Sequence, residues 1–270
     1  MVNFLLLTSL AMFVLSLVIG ILSGFKDYKI KSFRWMSNFL NISGMLALLI
    51  LILYLWITHK RPPLQTLGDT RLWYSLLLTI CGLVINHQLK ILWPLWFCQV
   101  FALLFITIDF FNQSAFETLL PPALLSIYFI PHVVVYIIAY ALLTSATFIG
   151  AKNILFKLKI NKPLEINEND ILIRSVDGII SMGYAFLTLG LLFGALWAKQ
   201  AWGHYWTWDP KETWAFITWM IYLIYLHLRY FYYQKTKLAQ LYLLGALMML
   251  FICWFGVNYL PTASQSIHTY

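Results

Sequence analysis

Trp202-Gly203-His204-Tyr205-Trp206-Thr207-Trp208-Asp209-Pro210-Lys211-Glu212-Thr213-Trp214 joins two long apolar runs. A plain connector is built from Gly, Pro, Asn, Asp and Ser, each with its own backbone reason to turn. This one instead carries four tryptophans and a tyrosine within thirteen residues. The surrounding runs make it a short link between two membrane helices, and so point to a helical membrane fold. Its rings read as a platform for one face of a planar, apolar ligand that carries a metal. The competing explanation is an aromatic belt at the membrane interface. A belt accounts for isolated residues such as Trp56, Trp73 and Trp93, but does not call for four tryptophans in one connector.

The second half of the stretch reads differently. Asp209 is placed to cap a helix, with Pro210 at the first helical position and Glu212 at the third, the spacing of a capping box. Asp209 is therefore expected to shape the platform rather than to move protons. Lys211 falls in the first turn, where the helix dipole disfavours a cation. It is read as answering a ligand carboxylate.

Composition supports the membrane fold. The chain has 270 residues, 61% hydrophobic and 10% charged, against roughly 25% charged in soluble domains. About eight transmembrane helices, each of roughly 20 residues, are expected near 3–23, 38–58, 72–87, 92–110, 126–150, 176–198, 211–230 and 239–259. The fold class is an all-α polytopic bundle, divided into N-terminal helices, 1–125, and a core that holds the tryptophan motif, 126–270. Of the 18 lysines and arginines, thirteen fall in one alternating set of loops and five in the other. The rich set, which includes 24–37, 88–91, 151–175 and 229–238, is expected to face the cytoplasm. Both termini and the tryptophan stretch then face outward. The net charge of +8 fits loops against anionic lipid, and no basic stripe stands free to bind nucleic acid. Cys81, Cys98 and Cys253 are scattered through apolar segments and read as buried hydrophobes without a catalytic role. The first segment reads as a retained helix, not a cleaved signal.

Three histidines stand out. His132 follows Pro131 at the outer start of the fifth helix, and His268 lies in the outer tail. Each alone reads as a solvated side chain. Together with the platform they form one hypothesis, two neutral imidazoles at the axial positions of a haem iron. His227 lies within a span, near the cytoplasmic end of the seventh helix. It is either a functional residue or a side chain snorkelling to the headgroups beside Arg229. His87 and His59 read as interfacial or solvated. His204 admits either ligation or a local hydrogen bond.

The pattern Trp202-Gly203-x-x-Trp206-x-Trp208-Asp209 resembles the tryptophan-rich WWD signature of haem-handling proteins in cytochrome c biogenesis. Its continuation through Pro210-Lys211-Glu212-Thr213-Trp214 to Leu226-His227-Leu228-Arg229 is similar to the CcsA (ResC) branch, used in system II. CcmC and CcmF share the tryptophan–aspartate core but usually lack that continuation. The resemblance covers about 126–268, including Pro131-His132-Val133 and Ser266-Ile267-His268. Upstream it is carried by hydropathy and by Gly68-Asp69-Thr70-Arg71-Leu72-Trp73.

The resemblance implies that His132 and His268 ligate an outer haem b, bound as ligand or substrate. It implies an inner haem at His227, with a further histidine from a CcsB (ResB)-like partner. Trp202, Gly203, Tyr205, Trp206, Trp208, Asp209, Lys211 and Trp214 would form the haem surface. The implied function is haem transport to the outer face and, with that partner, covalent attachment to the C-x-x-C-H motif of apocytochrome c. That is a cytochrome c synthase subunit with no catalytic residue beyond those that position haem. Thiol-reducing proteins would act indirectly. The alternative is a CcmC-like haem carrier without ligase activity. The implied site is a bacterial inner membrane, or less readily a thylakoid membrane.

Overall fold

The computed structural model describes residues 1–25, 31–116, 121–155, 166–232, 236–261 and 266. The described residues form eight α-helices and no strand: α1 Val2–Phe25, α2 Lys31–His59, α3 Leu67–Leu89, α4 Trp93–Phe111, α5 Phe129–Leu155, α6 Ile166–Trp202, α7 Pro210–Phe231 and α8 Thr236–Trp254. Among them, 6 contain stretches long and apolar enough to cross a membrane: Val2–Leu22, Trp35–His59, Leu67–Leu89, Trp93–Phe111, Phe129–Ala151 and Ile171–Trp202. The chain is thus an all-α, multi-pass membrane protein. In α7, Lys211 and Glu212 at one end, Arg229 at the other and many Tyr and Trp between them lower the hydropathy. The apolar part of α8, Leu238–Trp254, is shorter.

Several element bounds differ from expectation. The loop expected over 151–175 is helical at both ends, because α5 runs on to Leu155 and α6 begins at Ile166. Polar residues in Ile166–Ser175 suggested a linker. The segment contains no Gly or Pro to stop a helix, and Arg229 grips α6 at Asp177 just beyond it. Helix α3, expected at 72–87, starts at Leu67. Thr66 caps it, with Asp69 closing the capping box. Arg34, assigned to a loop, lies within α2, and α8 ends at Trp254 before a 3-10 turn, Gly256–Tyr259.

The chain folds as two compact units, Met1–Leu119 and Leu120–Tyr270. In the first, α1–α4 close around Leu6, Phe13, Leu48, Leu51, Ile52 and Leu72, all buried. The stretch Gly68–Trp73 sets two ion pairs into this unit. Arg61 reaches Asp69 at 2.9 Å, and Arg71 Nε donates to the fully buried Asp109 at 2.6 Å.

In the second unit α5 lies along α6, and α8 packs on both α5 and α7. Close approach of α5 is permitted by glycines on α6. A Cβ at Gly183 would sit 2.8 Å from Leu143, and one at Gly190 would sit 2.9 Å from Tyr136. Small residues let membrane helices gain dispersion contact where no hydrophobic driving force exists between them. At one end of the unit, Arg229 of α7 holds Asp177 of α6 through Nε at 2.9 Å and Nη2 at 2.8 Å. Tyr225 adds a hydroxyl donor to the same carboxylate at 2.8 Å. The other end gathers the start of α5, the end of α6, the start of α7 and residue Ser266.

Candidate functional site

The connector between α6 and α7 is held by its two carboxylates. Asp209 is the N-cap of α7, Pro210 follows it, and Glu212 closes the capping box, as the spacing predicted. Glu212 does more than close the box. One of its oxygens accepts from the Thr207 amide at 2.7 Å and from the Asp209 amide at 3.2 Å. The residue between those amides is Trp208, whose φ is 60°. A bulky side chain in the left-handed region is uncommon and strained. Glu212, buried, pins the backbone on both sides of that strain and turns the Trp208 ring outward, where it is 63% exposed. Gly203, with φ 84°, supplies the other left-handed residue where α6 ends.

The rings do not form one flat sheet. Trp202, the last residue of α6, packs on Trp197 at 5.0 Å between centroids, beside Leu124 and Phe129. Trp206 and Trp208 meet edge to face at 5.7 Å. From Trp208 a ladder continues through Phe216 at 5.7 Å and Trp219 at 6.1 Å to Tyr184 at 5.5 Å. Trp219 is fixed by a 2.9 Å bond from its indole N–H to Thr188. The Trp206 indole N–H is buried with no acceptor among the described residues. Tyr205 is exposed, with the Lys199 ammonium 5.4 Å from its ring centre. Trp214 is half-buried one turn into α7, and His204 is exposed.

His132 sits in the first turn of α5, half-buried. Pro131 is the third helical residue, since α5 begins at Phe129. The missing N–H still costs nothing there, because the first four amides have no partner within the helix. The imidazole lies in a notch cut by Gly194, whose Cβ would come within 2.8 Å of it. Nδ1 is 2.9 Å from the carbonyl oxygen of Gly190. A carbonyl only accepts, so Nδ1 carries a proton, and in the neutral form of the ring the lone pair is on Nε2. Metal-binding histidines are oriented by a second contact of this kind. Tyr136 at 4.7 Å and Trp197 at 5.4 Å wall the ring. Replacing Gly194 with valine is expected to push the imidazole out of its notch and lengthen the Gly190 contact. The shift is readable as a changed His132 imidazole resonance.

A second row of rings continues inward from His132 through Tyr136 and Tyr140 to Trp254 of α8, at 4.7, 5.5 and 5.3 Å. Lys211, half-buried, lies within electrostatic reach of Cys253 on α8. Thr218 and Tyr140 are hydrogen-bonding neighbours of that thiol. Sequence reasoning missed Tyr136, Tyr140 and Trp254. The i, i+4, i+8 spacing of His132, Tyr136 and Tyr140 was the signal that could have found two of them.

His227 is far from this end. Eighteen residues of α7 separate it from Asp209, about 27 Å along the axis. It is exposed on the unit's surface, with Nδ1 at 2.9 Å from the carbonyl of Leu223 and Phe231 stacked near it. Its Nε2 therefore faces away from α7. His268 lies outside the described residues, but Ser266, two positions before it, is described. Its hydroxyl donates to Asp209 at 2.9 Å. The structure thus brings His132, the connector and Ser266 to one end of the unit, and puts His227 at the other.

The sequence model of one family, described as cytochrome c assembly protein, matches residues 2–264. A CcsA protein of Cuscuta reflexa is 30% identical over 301 residues, covering 98% of this chain and 94% of that one. The chain belongs to the CcsA family of cytochrome c assembly proteins. A CcsA protein of Fagopyrum esculentum subsp. ancestrale is 35% identical over 206 residues, 62% of this chain and 65% of its own length. A solved structure of cytochrome c heme lyase CcmF matches with TM-score 0.66 and 17% identity, over 96% of this chain. The chain spans half of that protein's length, 50%. This likeness is one of fold.

The cap allows a first check of the connector. Asp209→Ala should lower stability by about 1 kcal/mol, while Asp209→Asn, which still caps, should change it by only a few tenths. Thermal unfolding of the purified protein measures both. Equal losses would mean that capping is not what the carboxylate contributes.

Proposed function

We propose that this chain works in cytochrome c biogenesis by holding haem, as substrate, at the connector end of its second unit. The observation that carries this is the His132 notch. The Gly190 carbonyl fixes the Nδ1 proton and so orients Nε2 as a ligand atom, at the same end as the Trp206–Trp208 pair. Three further features suit haem. The buried Trp206 N–H and the Lys211 ammonium are donors for propionate carboxylates. Trp208 offers an exposed face, and Tyr136 an apolar wall. His268, two positions after Ser266 in sequence, is the proposed second axial ligand. Trp202 supports the platform from behind through Trp197, and Gly203 and Asp209 set its turn.

Haem supplies two vinyl groups, and the apocytochrome C-x-x-C-H segment supplies two thiols. Each thiol adds across a vinyl double bond, with sulfur going to one carbon and hydrogen to the other, so no oxidant is consumed. The protein's share is proximity and orientation. Its residues keep haem fixed and one edge open.

His227 is proposed as the inner ligand. Its exposure on the surface of the second unit leaves room for a second histidine from a CcsB (ResB)-like partner. Eight spans with both termini outside are the proposed topology, since the helix order then puts the connector outside and His227 near the cytoplasmic side. A bacterial inner membrane is the first placement proposed. A thylakoid membrane is the second, favoured by relatives from Fagopyrum and Cuscuta.

The test is to incubate the purified protein and its partner with haem and a C-x-x-C-H peptide. The expected result is a peptide heavier by one haem that survives denaturation. Haem bound without any adduct would make the protein a carrier, and no haem bound would overturn the reading altogether.

A further inference from the structure

Two residues of the connector stand in the left-handed region, Gly203 at φ 84° and Trp208 at φ 60°. Glycine takes up that conformation without steric cost, whereas the Cβ of a tryptophan makes it strained. A chain that needed only a turn at 208 would use glycine, as it does at 203. A tryptophan kept there indicates that the direction of its ring matters.

Two neighbouring side chains in the first turn of α7 offset the strain. Glu212 Oε2 accepts from the Thr207 amide at 2.7 Å, the Asp209 amide at 3.2 Å and the Thr207 hydroxyl at 3.3 Å. A capping box asks only for the Asp209 amide, so the Thr207 amide is an additional and shorter contact. Glu212 is buried, at 8% exposure, and a carboxylate is the stronger kind of acceptor for such amides. Thr213 Oγ1 donates to the Trp208 carbonyl at 3.1 Å. The peptide after Trp208 is thus held at its carbonyl and at its amide, and the chain before it is held at Thr207. The Trp208 ring itself is 63% exposed and meets Trp206 and Phe216 edge to face. Its direction is set by the backbone more than by packing around the ring.

We propose that Glu212 is a positioning residue for haem, which with Thr213 clamps Trp208 left-handed and so aims that ring at the ligand. The proposal rests on haem being held at the connector end. Glu212 does not touch haem in this scheme and acts through Trp208. Without the clamp the backbone relaxes to negative φ, the side chain swings about the chain, and the ring turns away from the ligand. The same carboxylate that closes the start of α7 then also shapes the haem surface.

The test uses the full chain with its partner, labelled with 5-fluorotryptophan, and haem as the probe. The Trp208 fluorine resonance is the one lost in Trp208→Phe. It should move in Glu212→Ala and in Thr213→Val, and return near its wild-type position in Glu212→Gln, since glutamine also completes a capping box. Haem affinity is read by absorption titration. Trp208→Ala should weaken it roughly tenfold, the scale of one lost aromatic contact. Glu212→Ala should weaken it about as much as Trp208→Ala does, and Glu212→Gln less. In a Trp208→Ala background Glu212→Ala should add little, because the two act through one ring. Where Glu212→Ala does not fold, Thr213→Val leaves the capping box whole and carries the same readouts. A Trp208 resonance unmoved by Glu212→Ala and by Thr213→Val would overturn the clamp. Equal losses of affinity from Glu212→Ala with and without the Trp208 ring would overturn the positioning role, since a general weakening of α7 does not need that ring. So would a Trp208→Ala protein that binds haem as tightly as wild type. A wild-type complex that binds no haem overturns the reading of the site itself, and the fluorine resonance alone then decides the clamp.

Discussion

Protein in which His132 is replaced by glycine is expected to lose the bis-histidine absorption signature of haem while keeping its helices. The imidazole occupies a notch shaped for it, with Gly194 on one side and Tyr136 and Trp197 on the others. The Gly190 carbonyl accepts from Nδ1 at 2.9 Å, which fixes the orientation of the ring. Removing a contact that merely orients a ligand costs about 10–100-fold in metal affinity, so removing the ligand itself should cost at least as much. Glycine keeps the backbone amide that donates to the Tyr128 carbonyl at 3.2 Å near the start of α5, and the fold should tolerate it. Free imidazole fits the vacated notch and should restore the six-coordinate spectrum. Circular dichroism checks the helices and the absorption spectrum checks the ligand. A variant that keeps the signature without added imidazole would remove His132 from the ligand set.

The second large effect is expected in the first unit. Arg71→Leu leaves the Asp109 carboxylate fully buried without its guanidinium. Breaking a buried pair by removing one partner costs about 3–5 kcal/mol, a large share of a domain's net stability of about 5–15 kcal/mol. Thermal unfolding in detergent should show a steep loss. The double variant Arg71→Leu/Asp109→Leu should recover most of it, because neither charge is then buried. A double variant as unstable as the single one would mean that the pair serves packing geometry and not charge balance.

Membrane helices were legible because 20 apolar residues in a row have few other outcomes. The start of α7 was legible too, since Asp209, Pro210 and Glu212 form a local pattern that needs no tertiary knowledge. What stayed hidden depends on neighbours distant in sequence. Ile166–Ser175 looked like a linker because its polar residues were read alone, whereas Asp177 and Arg229 are joined only once α6 and α7 pack. The inward row from His132 to Trp254 crosses from α5 to α8, and only its first three members share a helical spacing. The contact between Ser266 and Asp209 spans 57 positions and leaves no periodic trace. The tryptophans invited treatment as one flat surface. Trp202 turns to Trp197 because it still belongs to α6, while Trp208 turns outward because Glu212 holds its backbone left-handed.

The central claim is that the connector end of the second unit holds haem between His132 and the tail. The most direct measurement is the absorption spectrum of the purified wild-type protein with its partner, recorded beside a variant lacking both His132 and His268. The wild-type complex should be coloured, with the bands of six-coordinate haem between two histidines. The double variant should lose those bands and regain them with imidazole. A colourless wild-type complex, or a double variant with an unchanged spectrum, would contradict the account.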